Sequence, residues 1–191
     1  MKNIRTFVAV EVSPDVQSRA GSLMERLRAS GVKVTWTKLP NLHLTLKFLG
    51  DTPETLLPDV CRAVSKACQG LASFEMQFGG AGAFPSTQRP QTLWLGVQSG
   101  LEQIAALQQS VDNALFALRF PRERRRYLPH LTLGRTRGGT PAQLQQLHEL
   151  LEQNRQFEAG VSYVEEVIVF ASTLDRENGP TYDVLSRTEL P

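Results

Sequence analysis

At 191 residues, the chain is long enough to bury one sizeable hydrophobic core and short for two independent domains, so we expect a single domain over residues 1–191. Its 41% hydrophobic content is that of a globular protein, and no stretch approaches the ~18 apolar residues of a membrane helix. A formal net charge of +2 neither requires nor excludes nucleic acid as a partner. The first residues lack the apolar core of a signal peptide, so we expect a cytoplasmic protein with no membrane partner. We also expect a monomer.

Hydrophobic periodicity and turn signals predict strands and helices in a mixed order. The predicted strands span residues 5–12, 32–37, 42–49, 74–84, 92–97, 127–135, 161–170 and 181–187. The predicted helices span residues 14–31, 101–118 and 141–154, and a further helix is opened by residues 50–53 and reaches about residue 69. A turn at residues 175–180 separates the last two strands. Several connections join strand directly to strand, which favours an α+β fold with largely antiparallel sheets over a doubly wound parallel sheet.

One tetrapeptide, His-Leu-Thr-Leu, occurs twice, at residues 43–46 and 130–133. Only three histidines exist in the chain, and two of them begin these copies. In a strand, the His and Thr of each copy project from one face and the two Leu from the other, so one face packs and the other is free for chemistry. The copies lie near one third and two thirds of the chain, which predicts two pseudo-symmetric lobes with one motif strand from each facing a shared central cleft.

Two imidazoles that face one another across a cleft can serve as an acid and a base for displacement at phosphorus. His43 and His130 would supply the neutral base and the protonated acid, and the sequence does not say which is which. The Thr45 and Thr132 hydroxyls, on the same faces, can donate to the non-bridging oxygens. We therefore expect a phosphodiester substrate and neither a metal nor a cofactor.

A zinc hydrolase is the main chemical alternative to this interpretation, because histidine is the commonest metal ligand. A catalytic zinc requires three protein ligands, and neither motif copy shows the His-x-His, HExxH or CxxC spacing of such sites. The two cysteines, Cys61 and Cys68, lie seven residues apart in a predicted helix. That separation, ~10 Å, is too long for a disulfide, so free thiols in a reducing compartment are expected.

Basic residues near the motifs are candidate phosphate ligands. Lys47 falls on the face of His43 by strict alternation, whereas Arg135 reaches the face of His130 only if a bulge at Gly134 shifts the strand. Arg126 ends a run of arginines that leads into the second motif strand, and this run is either a phosphate reader or a solvated surface. Base stacking or core packing is open to three aromatic residues, Trp36, Phe84 and Tyr127.

Residues 36–50 and 128–135, which contain the two motifs, resemble the paired H-x-T-x signatures of the two-histidine (2H) phosphoesterases. Residues 84–96 and 172–182 are similar to further stretches of one branch, the RNA 2',3'-cyclic phosphodiesterases, also called 2'-5' RNA ligases. The likeness therefore extends over nearly the whole chain. The doubled motif is specific to the superfamily, and the flanking stretches indicate the branch.

The resemblance implies a bilobal 2H phosphoesterase fold that hydrolyses an RNA 2',3'-cyclic phosphate end to a 2'-phosphate without metal. It implies that His43 donates a proton to the 3' oxygen and that His130 activates water. Joining of RNA ends through a 2'-5' bond would be the same chemistry run backward, with a 5'-hydroxyl in place of water. A different class of function stays open: a non-catalytic RNA-end binding module whose histidines only grip the phosphate.

Overall fold

The computed structural model describes residues 2–175 and 179–191, which form an α+β protein of nine strands and four helices. The strands are β1 Asn3–Glu11, β2 Lys33–Trp36, β3 His43–Pro53, β4 Phe74–Pro85, β5 Pro90–Ser99, β6 His130–Gly138, β7 Glu158–Val164, β8 Glu166–Asp175 and β9 Gly179–Glu189. The helices are α1 Pro14–Arg28, α2 Leu57–Cys68, α3 Leu101–Phe116 and α4 Pro141–Gln153. The centre of the predicted turn at 175–180 lies outside the described residues.

The strands form one antiparallel sheet in the order β7-β4-β5-β6-β3-β1-β8-β9, and β2 also pairs with β6. The two motif strands, β3 and β6, are central neighbours and meet at a single paired position, Leu44 opposite Leu131. Three strands continue outward on each side of this pair, which makes two similar halves. We call β7-β4-β5-β6 with β2 the His130 lobe, and β3-β1-β8-β9 the His43 lobe. The predicted pair of pseudo-symmetric lobes is thus confirmed.

The helices cover one side of the sheet. Helices α1 and α4 pack on the His130 lobe, whereas α2 and α3 pack on the His43 lobe. Their apolar faces join the motif leucines in one core, in which Leu44, Leu131 and Leu133 are fully buried. The opposite face of β3 and β6, which carries the histidines, is left without a covering helix.

Local signals account for the ends of two helices. Ser13 caps α1 by accepting a hydrogen bond from the Val16 amide at 3.3 Å, ahead of a proline in the first turn. Thr140 and Gln143 form a capping box at the start of α4, in which each side chain accepts a hydrogen bond from the other's backbone amide.

Among the described residues, no helix is both long enough and apolar enough to cross a membrane.

Three predicted boundaries were wrong because strand pairing overrides local signals. The helix predicted to open at residues 50–53 starts only at Leu57, since residues 51–53 extend β3 by pairing with the start of β1. The predicted strand 161–170 breaks at Glu165, where the chain leaves β4 in one lobe and joins β1 in the other. The strand predicted from Tyr127 begins at His130.

A β-bulge follows each motif and resets which face the next residue occupies. In the β1–β3 ladder, Ala9 pairs with Thr45 and Val8 with Lys47, so Leu46 is the extra residue. In the β5–β6 ladder, Trp94 pairs with Thr132 and Leu93 with Gly134, so Leu133 is extra. An extra residue shifts the alternation by one position. The two bulges occupy equivalent places in the two copies of the motif.

The bulge at Leu46 makes the prediction for Lys47 wrong. Lys47 turns to the core face, where it is 7% exposed and forms an ion pair with Asp112 of α3. Its ammonium also donates to the Pro121 carbonyl oxygen at 2.7 Å. Lys47 therefore fastens α3 to β3 instead of facing the cleft.

The Lys47–Asp112 pair yields a stability prediction. Asp112→Asn removes the charge partner of a buried ammonium and should lower the free energy of unfolding by about 3–5 kcal/mol, measured by urea denaturation. The matched control is Glu102→Gln, an exposed acid on the same helix. The double variant Lys47→Met, Asp112→Leu should recover most of the loss. A loss for Asp112→Asn below about 1 kcal/mol, the worth of an exposed pair, would contradict this role.

Candidate active site

The two histidines and two threonines of the motifs share the open face of β3 and β6. Continuing the ladder from the Leu44–Leu131 pair sets His43 opposite Thr132 and Thr45 opposite His130. The histidines are then diagonal neighbours, which in a regular antiparallel ladder lie about 7–8 Å apart. All four side chains are half-buried, so they line a cleft without being sealed from solvent. The structure therefore brings the predicted pair together.

Both imidazoles are held in the same way. The Nδ1 atom of His43 lies 2.7 Å from the Asn41 carbonyl oxygen, and that of His130 lies 2.7 Å from the Leu128 carbonyl oxygen. A carbonyl oxygen only accepts, so each Nδ1 carries the proton and donates it. In the neutral ring, Nε2 then has a free lone pair, and in the cation it is a donor. Each histidine thus presents one nitrogen that can act as a base or as an acid.

Aromatic rings surround His43. Phe7 stacks on its imidazole with ring centroids 4.8 Å apart, Tyr182 meets it edge-on at 5.3 Å, and Phe170 is tilted at 6.3 Å. Burial among these rings lowers the pKa of His43 below its usual 6.5, although the Asn41 carbonyl and the Glu11 carboxylate act to raise it. Glu11 is the strand neighbour of His43 in the β1–β3 ladder.

His130 has a lighter aromatic wall and a cation nearby. Phe84 meets its imidazole edge-on with centroids 5.0 Å apart. Burial lowers the pKa of His130 below 6.5, the Leu128 carbonyl raises it, and the positive charge of Arg135 lowers it further. The charged neighbours therefore differ in sign: the Glu11 carboxylate is an anion beside His43, and the Arg135 guanidinium is a cation beside His130.

The Leu133 bulge brings Arg135 to the face of His130 and Thr132. The bulge that this prediction required is present, one residue earlier than Gly134. Arg135 is exposed, and its guanidinium donates to the Thr92 hydroxyl at 3.3 Å. Its charge also lowers the pKa of Tyr182, which packs against His43, although burial raises that pKa overall. Arg135 therefore acts on groups at both ends of the cleft.

Pseudo-symmetry pairs Arg135 with an aromatic residue. Five positions after each motif histidine, the first copy carries Phe48 and the second carries Arg135. Phe48 lies 5.9 Å from Phe7 between ring centroids and is 66% exposed, an unusual state for a phenylalanine. The cleft thus has a cationic arm on one lobe and an apolar arm on the other.

Arg126 lies outside this cluster. It belongs to the segment between α3 and β6, in which all four arginines of the run are exposed. Arg122 of this run lies over the Phe116 ring at 4.5 Å, and the Arg125 amide donates to Glu123 at 3.2 Å. The structure thus shows a solvated basic surface that leads toward His130, and it assigns Arg126 no contact with the four motif side chains.

The predicted stacking residues divide into three cases. Trp36 packs against the core beneath the Arg28 guanidinium, so it is away from the cleft. Tyr127 is half-buried and donates its hydroxyl hydrogen to the Thr45 carbonyl oxygen at 3.0 Å, which ties the segment before β6 to β3. Phe84 alone reaches a catalytic candidate.

Sequence reasoning missed the aromatic residues on the cleft face, namely Phe48 of β3 itself and Phe7, Trp94, Phe170 and Tyr182 of other strands. Strand alternation could have assigned Phe7 a face, but the partner strands were not known.

Within residues 2–175 and 179–191, no group of three or more His, Cys, Asp or Glu side chains is arranged to hold a metal ion. Both cysteines are free thiols, and burial raises the pKa of Cys68 to about 11.

Residues 13–173 match the family described as the 2'-5' RNA ligase superfamily, which covers most of the chain and both motifs. The chain belongs to this superfamily. A relative named RNA 2',3'-cyclic phosphodiesterase from Methanothermobacter thermautotrophicus is 34% identical over 179 residues, covering 94% of this chain and 95% of the relative. Another of the same name from Thermotoga maritima is 30% identical over 182 residues, covering 95% and 93%.

Solved structures of this 2H phosphoesterase fold superpose over the whole length. The protein TT0787 of Thermus thermophilus has a TM-score of 0.77 at 26% identity, with 97% of each chain covered. E. coli LigT, solved with 3'-AMP, has a TM-score of 0.74 at 20% identity, with 99% of each chain covered, and its likeness extends to the fold alone. The bilobal fold expected from the sequence is confirmed.

The burial of both imidazoles predicts their titration. In the free protein, NMR should show His43 and His130 titrating below pH 6.5, with the proton of each neutral ring on Nδ1. Because both pKa values are lower in the folded protein than in the unfolded chain, the unfolded chain binds more protons at low pH. The resulting contribution to the free energy of unfolding is complete above pH 6.5 and is lost as the pH falls through the pKa values of the folded protein. Inorganic phosphate, an anion between the rings, should raise both values. Variants His43→Asn and His130→Asn assign the signals, and a midpoint above 6.5 in the free protein would contradict the prediction.

Proposed function

We propose that this protein is an RNA 2',3'-cyclic phosphodiesterase that hydrolyses a terminal 2',3'-cyclic phosphate to a 2'-phosphate. The observation that carries the proposal is the matched pair of imidazoles, each anchored through Nδ1 and each free at Nε2. Superfamily membership and two relatives named for this activity support it. The cyclic phosphate would lie between His43 and His130, with its RNA chain as the macromolecular partner.

The reaction transfers two protons. His130 takes a proton from water through Nε2 as the water oxygen attacks phosphorus. His43, protonated, gives a proton to the ribose 3' oxygen as its bond to phosphorus breaks, which leaves the phosphate on the 2' oxygen. The product is a terminal 2'-phosphate with a free 3'-hydroxyl. Exchange with solvent returns both imidazoles to their starting states.

The charges around the histidines support this division of roles. Glu11 beside His43 favours the imidazolium, and Arg135 beside His130 favours the neutral ring. A single proton shared by the pair is therefore drawn toward His43 by its charged neighbours. The titration belongs to the coupled pair, and a bound phosphate anion shifts it to higher pH.

The non-bridging phosphate oxygens carry the charge that develops in the transition state. We propose that the Thr45 and Thr132 hydroxyls donate to these oxygens, since both share the face of the histidines and occupy diagonal positions. Arg135 is the cation for the same phosphate, and Arg126 with its neighbours attracts the following phosphates of a longer RNA. Metal is assigned no role in this scheme.

We propose that residues 1–191 act as one bilobal domain, because each lobe is built from alternating segments of the chain. We also propose that the protein is a cytoplasmic monomer, and the free thiols Cys61 and Cys68 agree with a reducing compartment. The alternative, a binding module without catalysis, has no support from the named relatives.

The histidines should be separable by substrate. With EDTA present throughout, wild-type protein should hydrolyse a 2',3'-cyclic mononucleotide. His43→Ala and His130→Ala should each lose about 10²–10⁴-fold in kcat/KM, the usual worth of one positioned acid or base. A substrate with a much better leaving group needs little protonation, so it should rescue His43→Ala and not His130→Ala.

Four results would contradict these assignments. Rescue of His130→Ala in place of His43→Ala would reverse the roles. Full activity in both variants would reject the catalytic pair. Activity lost in EDTA and restored by zinc would reject the metal-free scheme, whereas binding without turnover under any condition would favour the module.

Substitutions of the basic residues should affect the binding of short and long substrates differently. Arg135→Gln should weaken the binding of both a cyclic mononucleotide and a cyclic-ended oligomer, because Arg135 contacts the reacting phosphate in this proposal. Replacing Arg124, Arg125 and Arg126 by Ala should weaken the binding of the oligomer only. The slope of log K for the oligomer against log salt concentration should fall by about 0.7 per lost phosphate contact. The control is Arg19→Ala, an exposed arginine on α1. An unchanged slope in the triple variant would leave the run a solvated surface.

A further inference from the structure

A row of hydrogen-bond donors crosses the His43 lobe on the cleft face. Arg5 of β1 is the ladder partner of Ser172 on β8, and Ser172 is in turn the partner of Tyr182 on β9. The β1–β8 ladder contains no bulge, so Arg5 lies on the same face as Phe7, whose ring stacks on His43. A guanidinium and two hydroxyl groups thus occupy adjacent strands, about 5 Å apart. We call these three residues the Arg5 row.

Tyr182 connects the Arg5 row to the proposed reacting pair. Its ring meets His43 edge-on with centroids 5.3 Å apart, and it meets Phe7 at 5.0 Å. Burial raises the pKa of Tyr182, and the charges of Arg135 and Arg5 both act to lower it. Both guanidinium groups are therefore close enough to this hydroxyl to act on it. Arg5 is a second cation at the cleft, and it comes from the opposite lobe to Arg135.

The charge of Arg5 is accessible to an external anion. Its side chain is exposed, and the ion pairs formed within the described residues do not include it. The ladder partner of Arg5 on β3 is an exposed acid, Asp51. A role for Arg5 toward a ligand must therefore be tested against a purely structural role toward Asp51.

The proposed reaction sets the direction in which the RNA chain leaves the cleft. In an in-line displacement, the attacking water and the leaving 3' oxygen lie on opposite sides of phosphorus. With water on the His130 side, the 3' oxygen and the ribose that carries it lie on the His43 side. The 5' carbon of this ribose leads to the preceding phosphate. That phosphate therefore lies over the His43 lobe, where the cleft face carries Arg5.

We propose that the Arg5 row binds the phosphate that precedes the terminal nucleotide, so that the enzyme prefers the end of an RNA chain to a cyclic mononucleotide. This deepens the proposed function and rests on it, including the roles of His43 and His130. The guanidinium offers paired donors and a charge that match phosphate oxygens, and the hydroxyl groups of Ser172 and Tyr182 can donate to the same group.

The first test compares adenosine 2',3'-cyclic phosphate with the adenosine dinucleotide that bears the same cyclic end. Arg5→Gln should lower kcat/KM for the dinucleotide about 10-fold, the lower worth of one hydrogen bond to a charged group, and leave the mononucleotide unaffected. Arg5→Lys retains the charge and should recover part of the loss. Arg19→Gln, an exposed arginine on α1, is the matched control. Equal losses on both substrates in Arg5→Gln would overturn the proposal.

The second test changes the substrate instead of the protein. A methylphosphonate in place of the internal phosphate of the dinucleotide removes its negative charge. In wild-type protein it should reproduce the 10-fold loss, and in Arg5→Gln it should cause little further loss, because the two changes remove one interaction. Each change alone should lower the slope of log kcat/KM against log salt concentration by about 0.7. Additive losses would show that Arg5 and this phosphate do not interact.

The third test addresses the structural role. If Arg5 only fastened β1 to β3 through Asp51, then Asp51→Asn would reproduce the loss on the dinucleotide. Under the proposal, Asp51→Asn removes a carboxylate that repels the phosphate, so kcat/KM for the dinucleotide should be retained or increased. Circular dichroism verifies that the variants are folded. A 10-fold loss in Asp51→Asn would overturn the proposal.

The outcomes separate this proposal from the proposed function. If wild-type protein hydrolyses neither substrate, the proposed function fails. Calorimetry with a dinucleotide that ends in a 2'-phosphate then still tests the Arg5 row, which predicts about 10-fold weaker binding in Arg5→Gln. If wild-type protein hydrolyses both substrates with equal kcat/KM, the proposed function stands and the Arg5 proposal is overturned.

Discussion

The pairing of Leu44 with Leu131 is the contact on which the rest of the structure depends. It joins a four-stranded and a five-stranded half into one sheet, and it sets the register that puts His43 and His130 on one face. Both leucines are fully buried, so a slip by one residue would turn the histidines into the core and the leucines into the cleft. Hydrophobic burial on one side of the sheet thus maintains the geometry of the chemistry on the other.

The two bulges give a symmetric scaffold an asymmetric site. Each extra leucine shifts its strand equally, yet the residues that follow differ: Lys47 and Phe48 in one copy, Gly134 and Arg135 in the other. Lys47 anchors α3 in the core, and Phe48 and Arg135 flank the cleft. Together with Glu11 beside His43, this difference gives two imidazoles with identical backbone anchors charged neighbours of opposite sign.

The fold class, the faces of the motifs and the capped helices were predictable because each depends on local periodicity or a local cap. Lys47 was not, since the Leu46 bulge exists only in the pairing of β3 with β1. The break at Glu165 was hidden because alternation continues across it while the partner strand changes. Phe7, Phe170, Tyr182 and Trp94 reach the cleft from strands whose order no local pattern records.

The alternation of the chain between lobes has a consequence for biosynthesis. β1 lies in the His43 lobe, α1 and β2 in the His130 lobe, and the rings of Phe170 and Tyr182 that enclose His43 come from β8 and β9. The His43 lobe cannot close until β8 and β9 have been made, and such long-range pairing is slow. A nascent chain therefore carries both histidines before the strands that enclose His43 have been made.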